Sequence, residues 1–326
     1  MISHWDEVRT WRGERGHISG TWSSLTGSSS KTVGAKRIQV DPGMWSTPLH
    51  LEGAEEEIFY VLDGSGISVQ AEGADDLFGY DVRPGDCVVH LALENAHTLR
   101  AGDDGLDVLA FGQRTHAPGI TWLPRAGVAW LGETWAPVGA EEDHPWSREA
   151  AAGPPEVAEI SPRPSTIVNA DDVDAVGRDG ATVGRHIRDL GCAAGSSRTG
   201  LKLFDVLPGK LMNPPHSHSA EEEIFIVLAG SGTLTVWQHP RGPAEPERFA
   251  SEREEHALRR GSVAVMLAGT GRPFAIAAGD EGMQILAYGT REPNDITYYP
   301  RSGKVMLRGV GLVGRLQLLD YWEGEE

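Results

Sequence analysis

Short runs in which apolar and polar residues alternate recur along the whole chain, while the three-to-four spacing of an amphipathic helix is weak throughout. Lys36-Arg37-Ile38-Gln39-Val40 and Ile67-Ser68-Val69-Gln70 alternate with period two, the pattern of a half-buried strand. Ile224-Phe225-Ile226-Val227-Leu228 is a continuous apolar run that closes on Gly230-Ser231-Gly232, a hairpin-type stop. Pro84-Gly85-Asp86 introduces Cys87-Val88-Val89, and Arg260-Gly261-Ser262 introduces Val263-Ala264-Val265-Met266. The best candidate for a helical turn or two is 252–260. Many short strands bounded by Gly, Pro and Asp predict an all-β sandwich or barrel.

The pattern occurs twice, at an offset of roughly 166 residues. VGAKRIQVDPGMWSTPLHLEGAEEEIFYVLDGSG, from Val33 to Gly66, aligns without gaps on TGLKLFDVLPGKLMNPPHSHSAEEEIFIVLAGSG, from Thr199 to Gly232, with about half of the positions identical. Downstream, Leu109-Ala110-Phe111-Gly112 answers Leu286-Ala287-Tyr288-Gly289, and Ile120-Thr121 answers Ile296-Thr297. The chain is therefore read as two copies of one domain, 1–135 and 166–326. They are joined by a Pro-rich linker, 136–165, expected to be extended and on the surface.

Composition narrows the classes. With 326 residues, either copy can bury a core. The formal net charge of −18 argues against a nucleic-acid partner. No apolar run approaches membrane-spanning length, and Met1 to Arg15 lacks the layout of a signal peptide. Cys87 and Cys192 lie far apart, outside any CxxC, and read as ordinary buried thiols. The expectation is a cytoplasmic protein whose partner is a small-molecule substrate, with a possible homo-oligomer through barrel faces. No setting for nucleotide binding or for a Ser-His-Asp nucleophile is present.

The candidate chemistry lies between Pro208 and Gly232. His216 and His218 are two apart, so an extended strand projects both imidazoles from one face, and Glu223 opens the next apolar run. Two imidazoles and a carboxylate on one face suit a first-row metal ion. In the triplets Glu55-Glu56-Glu57 and Glu221-Glu222-Glu223, not every carboxylate can face the interior unpaired. The members other than Glu57 and Glu223 are expected to be solvated rim charges. Eight of the twelve histidines, His4, His17, His90, His116, His144, His186, His239 and His256, lack ligand spacing and read as structural or surface residues.

His-x-His, four residues, Glu, six residues, Gly, preceded by the Pro208-Gly209 turn, resembles the first motif of the cupin superfamily. With the motif present twice, the resemblance covers nearly the whole chain. It implies two tandem cupin domains, each a double-stranded β-helix or jelly-roll barrel holding a metal in its mouth. The family's second motif adds a histidine after a Pro/Gly-Asp turn. In the second copy Phe274 stands where that histidine is expected, leaving His216, His218 and Glu223. In the first copy Glu52 replaces the second member of His-x-His, while His50, Glu57 and the distal His97 are kept. The resemblance thus implies either a site of His50, Glu57 and His97, with Glu52 a fourth ligand, or a metal-free barrel with Glu52 turned outward. For the second copy the alternative to a three-ligand site is a decayed one whose histidines only pack.

An oxygen-rich donor set leans toward Fe(II) or Mn(II), with Zn, Ni or Cu admitted. The leading expectation is a dioxygenase-like oxidoreductase acting on a small, partly apolar substrate beside Phe225, Val227, Met266 and Phe274. The alternatives are a non-redox isomerase or lyase such as a decarboxylase, or a non-catalytic ligand-binding cupin.

Overall fold

The computed structural model describes residues 2–71, 76–114, 120–131, 134–135, 144–157, 160–238, 253–317, 319 and 322–325. They divide into two compact units that are β-structure apart from short helical segments. One unit comprises Trp5–Asp174 and Asp189–Leu201; the other comprises Met1–His4, Ala175–Arg188 and Lys202–Glu326. The chain's first strand, Ile2–His4, accordingly belongs to the second unit, where it pairs with Ser262–Met266. Ile167–Asn169 belongs to the first unit and pairs with Asp86–His90. A third of the expected linker, 136–143 and 158–159, lies outside the described residues. Within the rest, Pro145–Ala151 forms a helix rather than extended chain, with the His144 side chain accepting from the Trp146 N–H as its cap.

Each unit is built on one long, bent antiparallel strand pair, a hairpin in shape whose two arms are separated in the chain by two further strands. In the first unit Glu57–Ala71 pairs antiparallel with Ala96–Gln113. Around it the sheet runs Ile167–Asn169, Asp86–His90, Glu57–Ala71, Ala96–Gln113, Val33–Val40, Ile18–Ser24, Thr10–Arg15, with Leu77–Val82 also beside Glu57–Ala71. A smaller sheet runs Thr134–Trp135, Val128–Leu131, Ile120–Leu123, Leu51–Glu52. The second unit repeats this plan: the hairpin is Glu223–Trp237 with Phe274–Thr290, and the small sheet is Ser217–His218, Ile296–Tyr299, Lys304–Leu307, Leu312–Arg315. Residues 253–259 form a strand paired with Ser231–Trp237, so the helical turn expected over 252–260 is absent from its described part.

The bend comes from register shifts flanking Gly64 and Gly230. Gly64 has φ +80°, and a Cβ there would stand 2.2 Å from the Gly105 carbonyl oxygen. Gly230, at φ +75°, meets Gly282 in the same way. Only glycine meets both demands.

The expected closed jelly-roll barrels are not formed. Among the described residues no sheet closes on itself: the first unit's large sheet ends at Ile167–Asn169 and Thr10–Arg15, which do not pair with each other. Large and small sheets meet only through isolated bridges, His50 with His97 and, in the second unit, His216 with Phe274. The reason is local. Pro48, and Pro214-Pro215, precede these bridges and have no N–H to give a continuing ladder. The architecture is all-β, with two open sheets in each unit.

Alternation along the hairpin buries both faces. Phe59 and Val61 enter the main core of the first unit with Trp22, Trp45 and Leu49, and Glu57 lies on the same strand face as Phe59 and Val61. The rim-charge expectation fails for three of four carboxylates: Glu56, Glu221 and Glu222 are buried. Glu56 is tolerated because its carboxylate accepts from Ser196 Oγ at 2.6 Å, the Ser197 and Thr199 N–H groups at 3.0 and 3.2 Å, and Thr199 Oγ1. Glu221 pairs with Arg308. Cys87 is buried as expected, whereas Cys192 is exposed.

Candidate metal centres

In the first unit His50 sits just before Leu51–Glu52, Glu57 opens one hairpin strand, and His97 is the second residue of the other. His50 and His97 exchange backbone hydrogen bonds of 3.1 and 2.8 Å, which brings their rings within 4.5 Å of each other. The His50 and His97 Nδ1 atoms face the carbonyls of Pro48 at 2.9 Å and Asn95 at 3.3 Å. Carbonyls only accept, so both Nδ1 atoms carry hydrogen and each Nε2 is turned to Glu57. Glu57 Oε2 lies 2.9 Å from His97 Nε2 and 3.4 Å from His50 Nε2.

This geometry demands a positive charge. A neutral His97 would aim a lone pair at a carboxylate lone pair, which requires a proton or a cation between or beside them. Burial disfavours the His50 imidazolium, but the Glu57 carboxylate prevails and raises its pKa to about 9. Burial and the charge of His50 lower that of His97. Burial opposes the Glu57 anion too, yet its two histidines hold its pKa well below the usual value. Protons and a divalent ion thus compete for the same atoms.

Glu52 is placed at the edge. Thr121 Oγ1 donates to its carboxylate at 3.0 Å, and its Oε1 is 4.0 Å from His50 Nε2, outside the group formed by His50, Glu57 and His97. Burial, and the nearby Glu57 charge, raise its pKa against the pull of His50. His90, which the sequence marks only as structural or surface, is buried and stacks on His97 with ring centroids 3.7 Å apart. A cavity of about 430 Å³ opens from this group, and His50, Glu52 and Glu57 line it.

In the second unit His216, His218 and Glu223 come together as the spacing predicts. Glu223 Oε2 is 3.8 Å from His216 Nε2 and 3.4 Å from His218 Nε2. His218 Nε2 and Glu223 Oε2 are buried without a hydrogen-bond partner, as expected of atoms that serve a metal ion. Phe274 occupies the place of His97: it exchanges the same pair of backbone bonds with His216, and its ring packs 4.7 Å away. Phe225, Val227 and Phe274 are core residues here, with Met266 packed against them.

Sequence reasoning missed Asp295. Its Oδ2 accepts from His218 Nδ1 at 2.7 Å, while Oδ1 accepts from the N–H groups of Ala220 and Glu221 at 2.9 and 3.2 Å. These bonds keep Asp295 ionised at a strongly lowered pKa, although burial opposes it. Burial opposes the His218 cation as well, but Glu223 and Asp295 raise its pKa to about 10. A third possible metal group, His218 with Glu221 and Asp295, shares this nitrogen. With Nδ1 given to Asp295, it reads as the support that turns His218 Nε2 to Glu223. The sequence carries a faint signal for it: Asp295 directly precedes the Ile296-Thr297 pair that repeats Ile120-Thr121.

Residues 197–309 match the Cupin family profile. That match covers about a third of the chain and lies within the second of its two repeats. Its fold is similar to that of Lactobacillus farciminis oxalate decarboxylase in a formate complex, at 16% identity and TM-score 0.59 over 90% of this chain and 87% of that one. Bacillus subtilis oxalate decarboxylase at pH 4.6 gives 16% and 0.57, over 88% and 75%. A study of the Mn(II) centres of the latter enzyme supplies a further match at 14% and 0.56, over 88% and 76%. No curated protein sequence gives a significant match. The dioxygenase-like oxidoreductase expected from the sequence is contradicted: these likenesses are to decarboxylases. Both groups have donor sets fit for a divalent ion. Among the described residues no helix is long and apolar enough to cross a membrane.

Proposed function

We propose that this protein is a divalent-metal-dependent lyase that decarboxylates a small organic acid, with Mn(II) the preferred ion. The observation that carries this reading is the His50, Glu57 and His97 group, whose charge-demanding face opens on a cavity of about 430 Å³ also lined by Lys36. The decarboxylases that share the fold, one of them named for its Mn(II) centres, support it. In this reading His50, Glu57 and His97 hold the active ion, and His216, His218 and Glu223 hold a second.

A bound ion supplies Lewis-acid stabilisation of the negative charge that develops as carbon dioxide leaves. Lys36 holds the substrate carboxylate by charge. The carbon–carbon bond breaks, its electron pair stays on the substrate carbon, and the carboxylate departs as carbon dioxide. Glu52, fixed by Thr121 on the cavity wall, gives a proton from its carboxyl oxygen to that carbon and regains one from water. No oxidant is consumed.

The test is carbon dioxide release from a panel of carboxylic acids by Mn(II)-loaded protein, with dissolved oxygen followed in parallel. Release without matching oxygen uptake is expected, and Glu52→Gln should lower kcat at least about 10²-fold while metal content is kept. Absence of release across the panel, or one oxygen consumed per turnover, would overturn the proposal.

A further inference from the structure

The cavity beside the first metal group has an unusual wall. Trp11, Trp22, Trp130 and Trp146 all line it, together with Glu52 and Glu57. Trp22 is buried and anchors the wall. Trp11 lies nearly parallel to it, at 6.3 Å and 13°, and Trp146 packs on it at 5.5 Å. Trp146 is delivered by the helix Pro145–Ala151, which adds to the cavity wall a ring from outside the sheets. Only part of this aromatic surface serves the core, since Trp11 remains 41% exposed beside the cavity.

Size and charge both favour an occupant larger than a very small dianion. The cavity of about 430 Å³ holds the equivalent of about fourteen waters at ~30 Å³ each. A two-carbon diacid would leave most of it wet and touch little of the tryptophan wall. Among the described lining residues Lys36 is the one lysine or arginine, against the carboxylates of Glu52, Glu55 and Glu57. A divalent ion leaves one positive charge over against Glu57, Lys36 adds a second and Glu55 removes one; with Glu52 protonated as proton donor, one positive charge remains. That balance suits a single carboxylate.

We infer that the substrate is an aromatic monocarboxylate, its carboxylate directed to Lys36 and the metal group and its ring laid against Trp11 and Trp146. This rests on the decarboxylase reading for what happens to the acid, but the binding claim is separable from turnover. Flat rings gain from offset or edge contact with indole faces beyond the area they bury.

The test is calorimetric titration of the Mn(II)-loaded full chain with trans-cinnamate, cinnamyl alcohol and oxalate. Cinnamate should bind at least about tenfold more tightly than either of the others, which lack its carboxylate or its ring. Trp11→Ala and Lys36→Met, both at exposed positions, should each weaken cinnamate about tenfold with metal content unchanged. If Trp11→Ala does not fold, Lys36→Met and the three-ligand comparison decide. Oxalate binding as tightly as cinnamate, or cinnamate binding unmoved by both variants, would overturn the inference. Tight cinnamate binding without carbon dioxide release from any acid would instead overturn the decarboxylase reading and leave this one standing. Release from other acids with no cinnamate binding would do the reverse.

Discussion

Four histidines face two glutamates here, and what distinguishes them is the partner on the far side of each ring. His50, His97 and His216 give Nδ1–H to backbone carbonyls, which the local chain supplies wherever the bend occurs. His218 gives it to Asp295, a carboxylate itself fixed by two backbone N–H groups. Such a partner both orients the ring and makes Nε2 more basic. Asp295→Asn should therefore weaken metal binding at the second site about 10–100-fold, and leave the first site unchanged. Chelator competition in a His50→Ala background reads the second site alone, and equal loss at both sites would show that the substitution acts on the fold. Elemental analysis supplies a companion expectation: His50→Ala and His216→Ala should each cost one metal equivalent. His216 and His218 were legible because a strand has period two, whereas Glu57, Glu223 and His97 were picked out by the resemblance to the cupin motifs. Asp295 and Lys36 were not, because their roles depend on contacts the local spacing does not encode. Asp295 reaches His218 across 77 positions of chain.

At the scale of elements, the strands and the twofold repeat could be read from alternation and from the Pro/Gly punctuation, but the closure of the sheets could not. A period-two pattern states which face is buried and not which neighbour pairs at the edge. Pro48 and Pro214 turn what would be one ladder into isolated bridges, and the same prolines are what set His50 and His216 beside the opposite strand. The residues 253–259 illustrate a further limit: their charge-rich sequence suits a helix, yet the exposed edge of Ser231–Trp237 recruits them as a strand. Glu56 also escaped the sequence, because the hydroxyls and N–H groups that satisfy it lie 140–143 positions away. The bend itself makes a sharp prediction. Gly27→Ala, at φ +49° in open space, should cost only about 1 kcal/mol. Gly64→Ala adds a clash with backbone at 2.2 Å and should cost about 3 kcal/mol or more. Denaturant unfolding of the two variants compares them directly, and equal costs would mean that the hairpin bends without needing the close approach to Gly105.

Across the whole molecule, the metal groups make stability depend on pH differently with and without metal. In the metal-free protein the pKa of His50 is raised from 6.5 to about 9 and that of His218 to about 10. A raised cation contributes stability that is full below 6.5 and lost as pH climbs through those values. Glu57 and Glu223 are lowered from 4.5, so their contribution to the same ion pairs is full above 4.5 and lost on acidification through their folded pKa. These four groups taken alone place the greatest stability of the metal-free protein between about pH 4.5 and 6.5. The lowered pKa values of His97 and His216 act against it below 6.5. A divalent ion must displace the protons that hold these clusters together, so its affinity grows as pH rises toward 9–10. A ligand present at 100 times its Kd adds about 2.7 kcal/mol per site, and that margin widens as proton competition falls. Thermal melts in EDTA and in Mn(II), from pH 6 to 10, should show a gap in Tm that grows with pH: the EDTA series falls while the Mn(II) series holds. A gap that stays constant, or narrows, would mean that the clusters are held by protons alone and that the metal binds elsewhere. The His50→Ala, His216→Ala double variant fixes the baseline, because it should melt at the same temperature in both series.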